Sequence, residues 1–104
     1  MGLDMCLYEG EKEIAYWRKH PNLHGYIVQN FADGVDECQK IRLTKDDVEK
    51  ILNAVVSNSL PVTTVFFFGV STDYHYEYTA KIFSDLLERM KDNPQLEITY
   101  QASW

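Results

Sequence analysis

The chain has 104 residues, the usual length of one domain, and we expect residues 1–104 to fold as a single domain. Apolar residues make up 45% of the chain, which is enough for a real core and excludes a disordered protein. With 16 acidic and 10 basic residues the net charge is −6, so we expect no direct nucleic-acid binding, because phosphate contacts need a basic surface.

The two cysteines, Cys6 and Cys38, are too few for a secreted disulfide scaffold. The first residues do not show the basic start and following apolar run that are typical of a signal peptide. The longest apolar run, Val65–Phe68, is far too short to span a bilayer. These features predict a cytoplasmic protein with reduced thiols and no membrane association.

The first half of the chain predicts a hairpin, a helix and a third strand. Apolar residues alternate with polar ones over 3–8, and a second strand follows at 13–18 after a turn. Pro21 suits the first turn of a helix, which we expect over 21–31, and Asp33-Gly34 ends it. A third strand is predicted over 37–43.

The second half predicts two helices and two strands. Thr44 and Asp47, three residues apart, nearly match the capping-box pattern for a helix that begins after Thr44. The run 62–68 does not alternate, which favours a strand buried on both faces. A helix is expected from 71–73 to about 91, and a final strand over 96–102. The fold class is therefore α+β, with a mostly antiparallel sheet of about four to five strands covered by three helices in a single layer pair.

The basic run before the first helix is the most informative local feature. Arg18 and Lys19 end a strand where a helix begins, and Asn22 and His24 follow them. A helix N-terminus presents free N–H groups and a partial positive charge, so it favours anions. These residues predict a site for a phosphate or carboxylate, whereas the alternative is a pair of solvated strand-end charges.

Aromatic and acidic neighbours extend this candidate site. Trp17 or Tyr16 stacks on a base in the ligand-binding interpretation, and Trp17 is a core residue in the alternative. Asp4 is the nearest acidic candidate. His20 and His24 are four residues apart, as metal-binding histidines often are, but Pro21 stands where a zincin needs glutamate. We expect no metal, and a partly buried histidine is the alternative.

Neither cysteine fits a catalytic role. Asp36-Glu37 precede Cys38 and would raise its pKa, and Cys6 lies on a strand as a small buried group. The turn at Gly69 lacks a nucleotide-binding fingerprint, so we expect no cofactor and name no catalytic residue.

Tyrosines dominate the start of the last predicted helix. Tyr74, Tyr76 and Tyr78 predict an aromatic surface for a partner, since tyrosine is enriched at binding hot spots, with Asp36 as an acidic member. The alternative is that Tyr76 faces the core while Tyr74 and Tyr78 cover surface.

Several segments together resemble a family of small bacteriophage and prophage proteins with no assigned activity. The matching segments are residues 1–5, 14–19, 22–24, 33–38, 60–61, 66–69 and 100–104. Family members usually have Tyr in place of Cys6, Ala-Asn in place of His20-Pro21, and Gly-Ser-Thr-Glu-Tyr-Asp over 69–74. The departures at Cys6 and His20 disfavour thiol chemistry and a His20 metal ligand. The resemblance implies a phage source.

From the resemblance and the composition we expect an accessory protein that binds and modulates a host protein, such as a defence or nucleic-acid enzyme that it inhibits. A net charge of −6 suits a basic partner. The alternative is a binder of, or small enzyme acting on, a phosphate-bearing molecule such as a nucleotide. Self-association, as in a homodimer or a virion part, is a third interpretation.

Overall fold

The computed structural model describes residues 3–35, 37–60, 71–93 and 95–103. These residues form three helices and a four-stranded antiparallel sheet, which confirms the predicted α+β class. The predicted strand 62–68 lies outside the described residues. In chain order the elements are β1 (Asp4–Glu9), β2 (Lys12–Arg18), α1 (Pro21–Phe31), β3 (Ile41–Leu43), α2 (Lys45–Val56), α3 (Asp73–Asp92) and β4 (Ile98–Ser103).

The sheet has the order β2-β1-β4-β3, so β2 and β3 are its outer strands among the described residues. Strands β1 and β2 form the predicted hairpin, and Gly10 takes a φ of 60° in its turn, a conformation that glycine adopts without a steric penalty. The pairing brings Asp4 opposite Arg18, and the register shifts between Leu7 and Tyr8. The pairing of β2 with β1 is regular from this shift to Arg18.

One face of the sheet is apolar and buried. It is the face that alternation predicts, because successive side chains of a strand point to opposite sides. Its buried residues are Leu3, Met5, Leu7, Ala15, Trp17, Ile41, Leu43, Ile98, Tyr100 and Ala102. They share one core with residues of all three helices, among them Leu23, Ile51 and Phe83. The side chains of the opposite face are half-buried or exposed.

The helices begin as their capping residues predict. Thr44 and Asp47 form a capping box at α2, and α2 buries Val48, Ile51 and Val55 as expected. At α3 the Thr72 hydroxyl accepts from the amide of His75, whose imidazole accepts from the Thr72 amide. Helix α1 starts at Pro21 without a side-chain cap.

Strand β3 is shorter than predicted, at Ile41–Leu43 instead of 37–43. Cys38 has a φ of 58°, which an extended strand cannot contain. The Gln39 side chain also donates to the Val35 carbonyl and accepts from the Glu37 amide, so this backbone is satisfied locally. The segment before β3 is therefore a turn.

Trp17 joins the sheet to α3. Its indole is 2% exposed, stacks on Phe83 at 5.9 Å between ring centroids and meets the edge of Tyr78 at 5.7 Å. The indole Nε1–H donates to the Thr79 hydroxyl over 2.8 Å, which satisfies a polar group that would otherwise be buried alone. This contact fixes α3 beneath β2.

Replacing Thr79 with valine is expected to destabilise the fold by about 1–3 kcal/mol, because the buried indole N–H loses its acceptor. Urea unfolding of the wild type and the variant measures this difference. In a Trp17→Phe background the same Thr79→Val change should cost less, since no indole N–H is left unpaired. An equal cost in both backgrounds would contradict the role assigned to this hydrogen bond.

Candidate functional site

The predicted anion-binding residues do not converge at the start of α1. Arg18 and Lys19 are exposed, and Lys19 has a φ of 58° at the point where the chain leaves β2. His24 is 3% exposed, and its Nδ1 lies 2.6 Å from the Tyr100 hydroxyl, on β4 in the core. His24 is thus a core residue, and its predicted contact with a surface ligand is corrected.

The first free amide of α1 is already bound within the protein. Pro21 has no N–H, and the Asn22 amide donates to the Ser71 hydroxyl over 3.1 Å. The Asn22 side chain donates to the Tyr76 hydroxyl over 3.1 Å. A cleft of about 420 Å³ beside them is lined by Asp73 and Glu77 as well, and two carboxylates disfavour an anion.

His20 is fully buried at this junction, further than the partly buried histidine that the sequence offered as an alternative. It has no exposed surface, its ring stacks on His75 at 4.9 Å, and its Nδ1 lies 2.6 Å from the Ser71 hydroxyl. Its Nε2 is buried, and no described residue forms a hydrogen bond with it. Burial, and secondarily the neighbouring His75, lowers the pKa of His20 to about 3.

The contact between Ser71 and His20 has the residue types of a nucleophile and its base. A general base must gain a proton during the reaction, and effective bases have a pKa near the working pH. The pKa of His20, about 3, makes it a weak proton acceptor at neutral pH. The pair is better explained as a structural contact that holds the start of α1 against the start of α3.

Cys6 is likewise poorly suited to nucleophilic chemistry. Burial raises the pKa of its thiol to about 11, and the hydrogen bond that the thiol donates to Glu13 over 3.2 Å adds to the increase. A thiol with such a pKa is almost wholly protonated at neutral pH, whereas the thiolate is the reactive form.

A groove between β2 and α3 gathers exposed aromatic side chains, and we call it the tyrosine groove. It measures about 340 Å³ and is lined by Tyr16, Trp17, Arg18, Tyr74, His75 and Tyr78. Tyr74 is 71% exposed and stacks on Tyr78 with ring centroids 6.3 Å apart, while Tyr16 is 46% exposed. Exposed aromatic clusters of this kind are typical of binding surfaces.

Asp4 supports the sheet side of the groove. The Tyr16 hydroxyl donates to an Asp4 carboxylate oxygen over 2.7 Å, and this hydrogen bond raises the pKa of Tyr16. Asp4 therefore orients a side chain of the groove. The sequence did not predict Tyr16 or His75 as contacts with a partner. Only the packing of α3 against β2 brings them together.

The predicted partner surface divides into two regions. Tyr74 and Tyr78 lie in the tyrosine groove with Arg18. Tyr76 is half-buried on the other side of α3, against Asn22 and the His20 ring, whose centroid is 5.3 Å away. Tyr76 is thus removed from the aromatic surface, and Asp36 lies outside the described residues. Trp17 forms the base of the groove from within the core, as its alternative interpretation as a core residue expects, whereas stacking of a base on the exposed Tyr16 stays a prediction.

The part of the chain that the structure describes contains no group of three or more metal-ligating side chains of the His, Cys, Asp and Glu types. None of its helices is long and apolar enough to cross a membrane.

Compared with known proteins, the chain matches no family model, no curated sequence and no solved structure.

The buried His20 should make folding stability fall with acidity. Below pH about 6.5 the unfolded chain protonates this imidazole, while the native protein excludes the proton until pH about 3. The unfolded state then binds more protons, so the free energy of unfolding falls by about 1.4 kcal/mol per pH unit from this group.

Urea unfolding from pH 7 to pH 4 measures this effect, with His20→Asn as the matched variant. Asparagine keeps an acceptor for the Ser71 hydroxyl and removes the titrating group. The difference in unfolding free energy between wild type and variant should shrink as pH falls. The same pH dependence in both proteins would contradict a neutral, buried His20.

Proposed function

We propose that this chain is a small phage-encoded accessory protein that binds a host protein through the tyrosine groove. The observation that carries the proposal is the exposure of Tyr16 and Tyr74 beside Arg18, where β2 meets α3. Tyrosine and arginine are the residues most often found as energetic anchors of protein interfaces. The host is inferred from the resemblance to phage proteins.

The rigidity of the groove supports binding. Trp17 anchors α3 through Thr79, and His75 donates from Nε2 to the Arg18 carbonyl over 2.8 Å. Both walls of the groove are therefore fixed to each other before any partner arrives. A preformed site loses less conformational entropy on binding, which favours affinity.

Charge favours a particular class of partner. The net charge of −6 attracts basic surfaces at long range and raises the rate of encounter with them. A nucleic-acid enzyme of the host has such a surface, and an acidic protein bound to it would compete with nucleic acid. Inhibition is thus the expected outcome of binding.

Binding rather than catalysis also agrees with the states of the reactive groups. The pKa of the Cys6 thiol is raised to about 11 and that of His20 is lowered to about 3, so neither is tuned for proton transfer at neutral pH.

The alternative, binding of a phosphate-bearing small molecule, stays a prediction for Arg18 and Lys19. Thermal unfolding with nucleotides tests it, because a ligand that binds only the native state raises the melting temperature.

Replacing Tyr74 and Tyr78 together with alanine should weaken partner binding by about 30-fold or more, because truncating one aromatic anchor costs roughly 2 kcal/mol. The measurement is affinity capture from host cells with the tagged chain as bait, followed by titration of the captured protein. Val56→Ser is the matched control, since Val56 is also 71% exposed but lies on α2, outside the groove.

We expect one stoichiometric host protein on the wild type and on Val56→Ser, and its loss from the double variant. An identical set of proteins on all three baits, or none on any, would count against the proposed function.

A further inference from the structure

The outer edge of β2 presents backbone groups that face away from the sheet. The Lys19 amide donates to the Leu3 carbonyl over 2.8 Å, and Asp4 lies opposite Arg18. Hydrogen-bonded and non-bonded pairs alternate along antiparallel strands. Trp17 is consequently bonded to β1, whereas the amides and carbonyls of Tyr16 and Arg18 point outward.

Helix α3 occupies one of these outward groups. His75 accepts at Nδ1 from the Thr72 amide over 2.9 Å, so its ring proton lies on Nε2 and is donated to the Arg18 carbonyl. The Tyr16 amide and carbonyl and the Arg18 amide remain directed to the edge. Among the described residues, the Tyr16 amide and carbonyl have no hydrogen-bond partner.

The tyrosine groove runs along this same edge. Tyr16 and Arg18 project from the face of the sheet opposite Trp17, and Tyr74 and Tyr78 stand on the α3 side. The outward backbone of Tyr16, which has no partner among the described residues, therefore lies along the groove, whose base is Trp17 and whose sides are aromatic. This arrangement matches an added strand, whose main chain bonds to an edge while alternate side chains enter the two sides.

We propose that the groove receives an extended segment of the partner protein, which adds to β2 as a further strand paired with Tyr16. This inference rests on the proposed function and specifies its binding mode. The segment residue that faces Tyr16 exchanges two main-chain hydrogen bonds with it, and the next residue places an apolar side chain against Tyr74 and Tyr78.

Charge defines one more position of the segment. Arg18 lines the groove, and the nearby carboxylate of Asp4, opposite it on β1, is not among the lining residues and accepts from the Tyr16 hydroxyl. An acidic residue two positions from the one that faces Tyr16 would meet the Arg18 guanidinium on the same side of the added strand. Each copy of this chain has a charge of −6, and the acidic residue of β2, Glu13, lies three positions from Tyr16 and not two. A partner segment therefore suits the edge better than a second copy.

Amide hydrogen exchange of the free protein tests the edge itself. The Trp17 amide, bonded to β1, should exchange slowly, and the Tyr16 amide should exchange rapidly at all protein concentrations. Slow exchange of Tyr16 in the monomer would mean that the edge is already paired within the chain. Protection that grows with concentration, together with a dimer by light scattering, would identify a second copy as the occupant. Either result overturns the inference.

A displayed library of random linear peptides, selected on the wild-type protein, supplies the probe. Enriched peptides should contain an acidic residue, an apolar residue next to it and a further residue that pairs with Tyr16. Binding of a synthetic peptide should slow exchange of the Tyr16 amide. Methylating the peptide nitrogen that bonds to the Tyr16 carbonyl should weaken binding about tenfold or more, and methylating the next nitrogen, which points away, should weaken it less.

Two substitutions at one position separate backbone from side chain. Tyr16→Pro removes the outward amide without removing a bond to β1, and Tyr16→Thr keeps the amide and removes the aromatic ring. We expect peptide binding to fall further with proline than with threonine, with unfolding midpoints checked for both. Equal losses in the two variants and no effect of methylation would overturn strand addition.

The outcome is distinguishable from failure of the proposed function. If no peptide is enriched, or if methylation has no effect, while Tyr74 and Tyr78 still determine capture of the host protein, the binding role stands and the strand-addition mode is wrong.

Discussion

The hydrogen bond between the Trp17 indole and Thr79 is the interaction on which the arrangement of this protein depends. It joins residues 62 positions apart and is surrounded by ring contacts with Tyr78 and Phe83. Because the indole has both a large apolar surface and one donor, it fixes where α3 lies along β2 as well as how closely it packs. The groove, the position of His75 at the strand edge and the exposure of Tyr74 all follow from that placement.

A second set of long-range contacts buries the imidazoles of two histidines within the fold. His24 meets Tyr100 across 76 positions and His20 meets Ser71 across 51, and both imidazoles are buried. Buried polar side chains with defined partners favour one packing over others, because an alternative packing leaves them unsatisfied. The histidine-rich start of α1 therefore contributes to the specificity of the fold.

Local sequence patterns predicted most of the helices and strands. Contacts between residues distant in sequence determined the features that these patterns could not predict. The capping box of Thr44 and Asp47, the start of α1 at Pro21 and the alternation in β1 each depend on neighbours within a few residues, so their prediction was confirmed. The predicted length of β3 was wrong because Cys38 takes a left-handed conformation that its residue type does not favour. The candidate site was predicted only in part. Tyr74 and Tyr78 were predicted by residue type as a partner surface, and Arg18 as part of an anion site. Their meeting in one groove, and the inward positions of His24 and Tyr76, depend on partners elsewhere in the chain.

One imidazole serves two elements at once, and this couples them. His75 completes the capping box of α3 through Nδ1 and closes the end of the β2 edge through Nε2. If the first turn of α3 frays, the ring leaves both positions together, and the Arg18 carbonyl joins the row of free edge groups. The usable length of the edge is thus set by the winding of a helix terminus. A ligand that needs one more main-chain hydrogen bond would obtain it by unwinding that turn, and one that does not would leave the helix intact.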